Sequence, residues 1–204
     1  LIVNEPGVIG LVYKHQYLVE INLNIADAGM LSMQSGWYDA GKNITISALP
    51  NQGWHFMGWI GYGKGAYNGT GTAILNIQGP INELAIFYPS VTIVANGPGS
   101  ITYQSGNEAG TVKGGESKII YLNPNATLIL RNSPDSFSYF NGWIVNGEYN
   151  NEQELKLVIT KPTVIIGNFS QNTNALILIP LIVAIIALAL IVFLIYRKVK
   201  FVTL

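Results

Sequence analysis

The stretches HFMGWI at residues 55–60 and YFNGWI at residues 139–144 share one pattern, and this pattern decides how the chain folds. Each stretch carries a Phe, a Gly and a Trp at the same spacing, bounded by turn residues as β-strands are. Aromatic side chains of this size bury a large area, so we expect the Phe and Trp of each stretch to lie in a core. The repeated pattern predicts two copies of one small β-rich unit.

Other landmarks recur around these stretches in the same order. GMLSMQSG at residues 29–36 is repeated by GSITYQSG at residues 99–106, and a closing strand in each copy ends near a Phe. We therefore predict a mainly β chain with two tandem modules of five or six short strands each. The expected core aromatic residues are Phe56, Trp59, Phe87, Phe140, Trp143 and Phe169.

The landmarks also predict the module boundaries. The first module covers residues 16–89 and follows an N-terminal strand or linker at residues 1–15. The second covers residues 90–170 and contains an insertion at about residues 107–122. Almost no linker separates the two modules.

A different pattern follows the second module: ALILIPLIVAIIALALIVFLIY at residues 175–196 contains no charged side chain. At about 1.5 Å per residue, such a helix spans a hydrocarbon core of about 30 Å, so we predict one C-terminal transmembrane α-helix in contact with membrane lipid. Pro180 lies in its first turns, where a missing N–H costs least. The helix ends at Tyr196, and a basic cluster in the tail at residues 197–204 predicts that the C-terminus is cytoplasmic and the modules extracellular. The cluster consists of Arg197, Lys198 and Lys200.

Composition narrows the class of partner. Only 11% of the residues are charged, and no cysteine is present. Each module must therefore be held by core packing alone, and the net acidic charge before the basic tail argues against a nucleic-acid partner. A surface solvated by neutral polar groups suits an acidic exterior, which we state as a hypothesis beside the simpler interpretation of a polar β-protein. The chain lacks an initiator Met, so we expect Leu1 to be a processed N-terminus.

The order Gly, Ser-Gly, Ala-x-Pro, Phe-x-Gly-Trp and a final Phe resembles the divergent internalin-type B-repeat family. The first module matches at Gly29, Ser35, Gly36, Gly41, Ala48, Pro50, Gly53, Phe56, Gly58, Trp59, Ala85 and Phe87. The second matches at Gly99, Ser105, Gly106, Pro134, Phe140, Gly142, Trp143 and Phe169, and departs where Phe137 replaces the Gly.

The resemblance implies small grasp-like β-modules that serve surface proteins as spacers or interaction units, and it brings no catalytic residue. Tandem modules before an anchor also resemble the C-terminal regions of archaeal surface proteins, including S-layer-associated ones. Some of those proteins are thermopsin-like acid peptidases.

The residues themselves predict no enzyme, metal site or cofactor. His15 and His55 are the only histidines and are far apart, so a metal site or a Ser-His-Asp set is not expected. Asp27, Asp39 and Asp135 lie in turns without the Asp-Thr/Ser-Gly sequence of an aspartic peptidase.

Two sets of residues are candidates for contact or modification. A glycine-rich loop at residues 61–71 predicts a site for sugar rings or a protein partner, although a mobile loop with incidental tyrosines is the alternative. The candidate residues are Trp54, Tyr62, Lys64 and Tyr67. Four Asn-x-Ser/Thr sequons predict glycosylation at Asn43, Asn68, Asn125 and Asn168, with Asn68 and Asn125 favoured because they lie in loops.

These observations favour a single-pass, surface-displayed structural or interaction protein in a larger assembly or precursor. The alternatives are a membrane-anchoring part or accessory subunit of a secreted enzyme, such as an acid peptidase, and a glycan-binding adhesin.

Overall fold

The computed structural model describes residue 10 and residues 12–202, which form mainly β-strands followed by one helix. The predicted mainly β class is confirmed. Most of the predicted N-terminal strand or linker lies outside the described residues, and residues 12–15 have no regular structure. The chain divides into two compact units, Leu1–Ser90 and Val91–Leu204.

The first unit contains seven strands and the beginning of an eighth. They are β1 (Gln16–Leu23), β2 (Gly29–Leu31), β3 (Gly36–Asp39), β4 (Asn43–Ile46), β5 (Ala48–Pro50), β6 (Trp54–Gly63), β7 (Ala73–Asn76) and β8 (Ile81–Asn96), with a 3-10 turn at Ala26–Ala28. Residues 91–96 of β8 belong to the second unit.

The main sheet of the first unit has the strand order β3-β1-β8-β6. Strand β1 pairs antiparallel with β3 and parallel with β8, and β6 pairs antiparallel with β8. Two antiparallel ribbons, β2 with β5 and β4 with β7, complete the unit. Alternate residues of β1 and β8 are buried, as the period-two pattern predicts for a half-buried strand. The core contains Val19, Ile21, Ile46, Trp59, Leu75, Ile77 and Phe87.

The structure departs from the simple sequence pattern at two places in the first unit. Residues 43–48 alternate in polarity as a single strand would, but they are divided between β4 and β5, because the chain changes partner at Ser47, whose N–H donates to Ser32 Oγ at 2.8 Å. The predicted loop at residues 61–71 begins later, since β6 continues to Gly63 in register with Ile81.

The second unit begins with residues 91–96 of β8. Its other strands are β9 (Gly99–Ser105), β10 (Glu108–Lys113), β11 (Ser117–Tyr121), β12 (Ala126–Pro134), β13 (Ser138–Val145), β14 (Glu148–Asn150), β15 (Glu154–Ile159) and β16 (Thr163–Gln171).

Pairing in the second unit repeats the central feature of the first. Strand β16 runs parallel to β8 and antiparallel to β13, which also pairs with β14, and β11 pairs with β8. A second sheet has the order β10-β9-β12-β15. Strands β10 and β11 lie at residues 107–122, where the sequence predicts an insertion. The core between the strands includes Ile93, Ile101, Leu128, Leu130, Trp143, Ile159 and Ile165.

Helix α1 (Thr173–Val202) follows β16 and contains Pro180. Its described side chains cover residues 173–174 and 177–191, and the large apolar ones among them are all exposed. Within the described part of the chain, no helix combines the length and the apolar character needed to cross a membrane. The transmembrane helix predicted at residues 175–196 is therefore not shown. The side chains of Tyr196, Arg197, Lys198 and Lys200 lie outside the described set, as do residues 203–204.

Candidate interaction surface

An aromatic cluster occupies the equivalent place in each unit. In the first, the ring of Phe56 lies 5.6 Å from that of Trp59 and 5.3 Å from that of Phe87, measured between centroids. Trp59 and Phe87 are buried, and Phe56 packs against the same core. The edge-on and tilted ring geometries are those that aromatic pairs prefer.

The second unit repeats this cluster. Phe140 lies 4.8 Å from Trp143 and 5.2 Å from Phe169, again between ring centroids. Both units also carry a β-bulge at the residue before the Gly, between Phe56 and Gly58 and between Phe140 and Gly142. The bulge turns the following Trp toward the core.

Each buried indole donates its N–H to a backbone carbonyl. Trp59 Nε1 bonds Gly71 O at 2.9 Å, and Trp143 Nε1 bonds Glu152 O at 2.9 Å. These bonds fix the segment after β6 in one unit and after β14 in the other. Each aromatic cluster therefore stabilises the core of its own unit, and the buried indole of its Trp has no ring face open for a ligand.

The glycine-rich segment after β6 is tied down by side-chain hydrogen bonds. Asn68 accepts from Gly61 N–H at 3.1 Å and donates to Gly61 O at 3.0 Å, so its amide takes the place of a neighbouring strand. Tyr67 donates its hydroxyl to Thr70 O at 3.0 Å. The segment is an ordered part of the unit.

The four candidate contact residues differ in their burial and bonding. Trp54 is partly buried against the core, and the backbone and hydroxyl of Tyr67 are bonded within the unit. Tyr62 lies on β6 with 69% of its surface exposed, and Lys64 is exposed just beyond the strand. Of the four side chains, those of Tyr62 and Lys64 are thus the most available for contact, and the site at this loop stays a prediction.

A buried carboxyl group, missed in the sequence, lies beneath the same segment. Glu83 of β8 has 0% of its surface exposed and accepts a hydrogen bond from Tyr67 N–H at 2.7 Å. Its Oε2 atom has no hydrogen-bond partner. Burial raises the pKa of this carboxyl, and the Tyr67 N–H offsets part of the rise. The only sequence signal was a Glu at an inward position of an alternating strand.

The space for Glu83 depends on Gly61. A Cβ atom on Gly61 would stand 2.5 Å from Glu83 Oε1, 2.7 Å from Oε2 and 2.5 Å from Tyr67 O. A carboxyl group and a carbonyl oxygen therefore crowd the same position.

The four sequons differ in how their amides are used. The Asn43 side chain accepts from Asn76 at 2.7 Å, and Asn168 accepts from Asn96 at 2.8 Å. Asn68 forms the two bonds to Gly61 described above. Asn125 is exposed in the turn before β12 with a backbone φ of 67°. Within the described part of the chain, its amide forms none of the side-chain hydrogen bonds that hold the other three.

The described residues hold no group of three His, Cys, Asp or Glu side chains that could bind a metal ion. His15 stacks against Tyr17 with ring centroids 4.5 Å apart. Asp39 forms an ion pair with Lys14 at 2.8 Å and accepts from Gln16 at 2.9 Å, and these contacts lower its pKa.

Comparison with known proteins identifies the family of one part of the chain. Residues 19–78 match the sequence profile of the family described as the divergent InlB B-repeat domain. The match runs from β1 to just beyond β7 and confirms the resemblance for that part of the first unit. It covers less than half of the chain, and no curated protein sequence matches.

Two solved structures show the extent of the structural similarity. The pilus adhesin SpaC of Lactobacillus rhamnosus GG matches with 10% identity and a TM-score of 0.28, over 76% of this chain and 31% of the adhesin. The major pilin T-13 of Streptococcus pyogenes matches with 10% identity and a TM-score of 0.30, over 79% of this chain and 98% of the pilin. This chain thus spans about a third of the adhesin's length, and the low scores carry no functional argument.

Proposed function

We propose that this chain is a non-enzymatic, single-pass membrane protein that displays two β-units outside the cell as structural or interaction modules. The second unit is, in this proposal, a diverged copy of the first. Its aromatic cluster, bulge and indole hydrogen bond repeat those of the unit that matches the B-repeat family.

The observation that carries the proposal is the exposure of helix α1. The described large apolar side chains between Ile177 and Ile191 are exposed on every side of the helix. A helix that is apolar all round needs an apolar environment. The uncharged sequence continues to Tyr196 and is followed by basic residues, so a bilayer with the tail on its cytoplasmic side provides that environment.

The β-units supply the second line of support. They contain no cysteine, and neutral side chains bond their backbone: the amides of Asn24 and Asn68, for example, form hydrogen bonds with backbone groups of Phe87 and Gly61. Protein partners in a surface assembly are part of this proposal.

Membrane fractionation tests the anchor. We expect the full chain to stay in the membrane pellet after alkaline carbonate extraction and to enter solution only with detergent. Replacing Ile185 and Leu188 together with Arg should release it, because a charge at the helix centre costs about 2.5–3.5 kcal/mol per residue. The matched control replaces Ile119 and Val158, exposed residues of the second unit, with Arg. Release of the unmodified chain by carbonate would contradict the proposal.

Purification in mild detergent followed by mass spectrometry tests the role. Companions at fixed stoichiometry that carry no hydrolytic activity would support a structural subunit. A peptidase that copurifies in equal amount would instead show an accessory role for a secreted enzyme.

A further inference from the structure

The outer face of the main sheet in the first unit carries two of the most exposed aromatic side chains of that unit. Trp37 on β3 is 66% exposed, and Tyr62 on β6 is 69% exposed. Neither belongs to the aromatic cluster on the inner face. Trp and Tyr side chains are enriched at binding surfaces, so two such exposed rings on one face of a sheet are a candidate contact site.

Strand register places polar groups between these rings. Leu18 of β1 pairs with Trp37, while Glu20 pairs with Asn82 of β8, which in turn pairs with Tyr62. Ile60 lies two residues from Tyr62 on the same face and is 41% exposed. We name these six residues the aromatic face: Leu18, Glu20, Trp37, Ile60, Tyr62 and Asn82.

The spacing of the rings suits an elongated ligand. Strands in a sheet lie about 4.8 Å apart, so Tyr62 and Trp37, three strands apart and offset along them, are separated by about 15 Å. The ligand would run across the strands, with one ring near each end and an amide and a carboxylate between them. Asn82 Nδ2 lies 3.4 Å from Glu20 Oε2, so both groups point out of the same row.

Charge selects the class of ligand. The aromatic face contains no basic side chain, which disfavours nucleic acid and acidic surfaces. Its one carboxylate, Glu20, accepts only the long contact from Asn82, and Asp39 at the adjoining edge is already paired with Lys14. Rings that stack on C–H surfaces, together with amide and carboxylate acceptors for hydroxyl groups, match a neutral polyhydroxylated chain.

We propose that the aromatic face of the first unit binds a neutral polysaccharide, with Trp37 and Tyr62 stacking on sugar rings and Glu20 and Asn82 bonding hydroxyl groups. This inference deepens the proposed function and rests on the display of the unit outside the cell. It moves the contact surface from the glycine-rich segment to the sheet.

Affinity electrophoresis of the full chain in detergent tests the inference, with hydroxyethyl cellulose, glycol chitin or yeast mannan cast in the gel. We expect retardation by at least one polymer. Each of Trp37→Ala and Tyr62→Ala should weaken binding about three- to tenfold, since one aromatic contact contributes about 0.5–1.5 kcal/mol. Trp37→Phe should retain most of the binding. Tyr139→Ala, which removes a comparably exposed ring from β13, is the matched control.

Two results would overturn the inference. One is the absence of retardation in all three polymers, and the other is binding that the Trp37 and Tyr62 variants leave unchanged. A photo-crosslinker at position 37 or 62 that captures one defined protein in native membranes would assign the face to a protein partner instead. Carbonate extraction tests the membrane anchor independently. A failure of polysaccharide binding can therefore be distinguished from a failure of the proposed membrane location.

Discussion

Gly29 lies so close to Phe87 that a Cβ atom on Gly29 would stand 2.7 Å from the ring atom Cζ. The same position would be 2.6 Å from the carbonyl oxygen of Leu49. The second unit repeats this relationship between Gly99 and the ring of Phe169. In both units the backbone of a short strand thus lies directly on the last aromatic residue of the core.

Gly29→Ala and Gly99→Ala should each destabilise the protein by about 1–3 kcal/mol, because the added methyl group overpacks a closed core. Gly36→Ala is the control, since its nearest neighbour would be a Tyr38 ring atom at 3.7 Å and its backbone φ is not positive. Chemical unfolding followed by tryptophan fluorescence measures all three. Equal stability of the Gly29 and Gly36 variants would contradict the close packing.

These glycines show what the sequence could and could not predict. Their place in a repeated order made Gly29 and Gly99 recognisable as landmarks, and the strand pattern gave the mainly β class. The reason for each Gly is a contact with a Phe far along the chain, which no local pattern encodes. Likewise, the Asn24 side chain forms hydrogen bonds with both the N–H and the C=O of Phe87, at 2.9 Å each. No local sequence pattern predicts a pair of hydrogen bonds between residues so far apart in the chain.

The candidate site was harder to predict than the fold for the same reason. Gly61 and Gly63 suggest a turn, so the sequence places Tyr62 in the glycine-rich loop. In the structure, pairing with β8 extends β6 through both glycines. Trp37 follows Gly36, and the local sequence does not indicate which face of the sheet its side chain occupies. Only the register between β1 and β3 places it on the outer face, opposite Leu18.

Glu83→Gln should make the protein more stable at neutral pH. The pKa of Glu83 is raised above its ordinary value of 4.5, so the folded state holds the proton more tightly than the unfolded state. Its contribution to stability is therefore fully present below pH 4.5 and is lost as the pH rises through the raised pKa. Gln is neutral throughout and keeps an acceptor for Tyr67 N–H, so the variant should lack this decrease.

Thermal unfolding measured between about pH 4 and pH 8 checks this prediction. The Tm of the variant should exceed that of the wild type at the upper end, and the two should converge toward acid. Glu20→Gln, at an exposed position of the adjacent strand, is the matched control for a Glu-to-Gln change. Parallel profiles for wild type and Glu83→Gln would show that Glu83 is ionised without penalty in the folded state.

Among the four sequons, we expect glycosylation at Asn125. Its exposed turn leaves the amide accessible, whereas the Asn68 amide is held by Gly61 and those of Asn43 and Asn168 by other side chains. Intact-mass analysis of native protein should show hexose increments that Asn125→Gln removes and Asn43→Gln retains. A glycan at Asn68 would contradict the expectation, since it would require the two hydrogen bonds between the Asn68 amide and Gly61 to break.

Phe137→Gly should be more stable than Phe137→Ala by about 1 kcal/mol. Phe137 has a φ of 60°, and Gly53 at the equivalent turn of the first unit has a φ of 83°. In both turns an N–H closes back on a carbonyl three residues earlier at 3.0 Å, Trp54 on Asn51 and Ser138 on Asp135. The left-handed conformation costs an L-residue about 1–2 kcal/mol, which Gly avoids. Comparing Gly with Ala removes the ring in both variants and isolates the free energy of the backbone conformation.

At Tyr139, inside β13, the order of stability should reverse, because Gly in a strand is about 0.5–1 kcal/mol less stable than Ala. Chemical unfolding of the four variants measures both differences. An Ala variant at position 137 at least as stable as the Gly variant would show that the turn of the second unit does not impose the left-handed conformation found in the first.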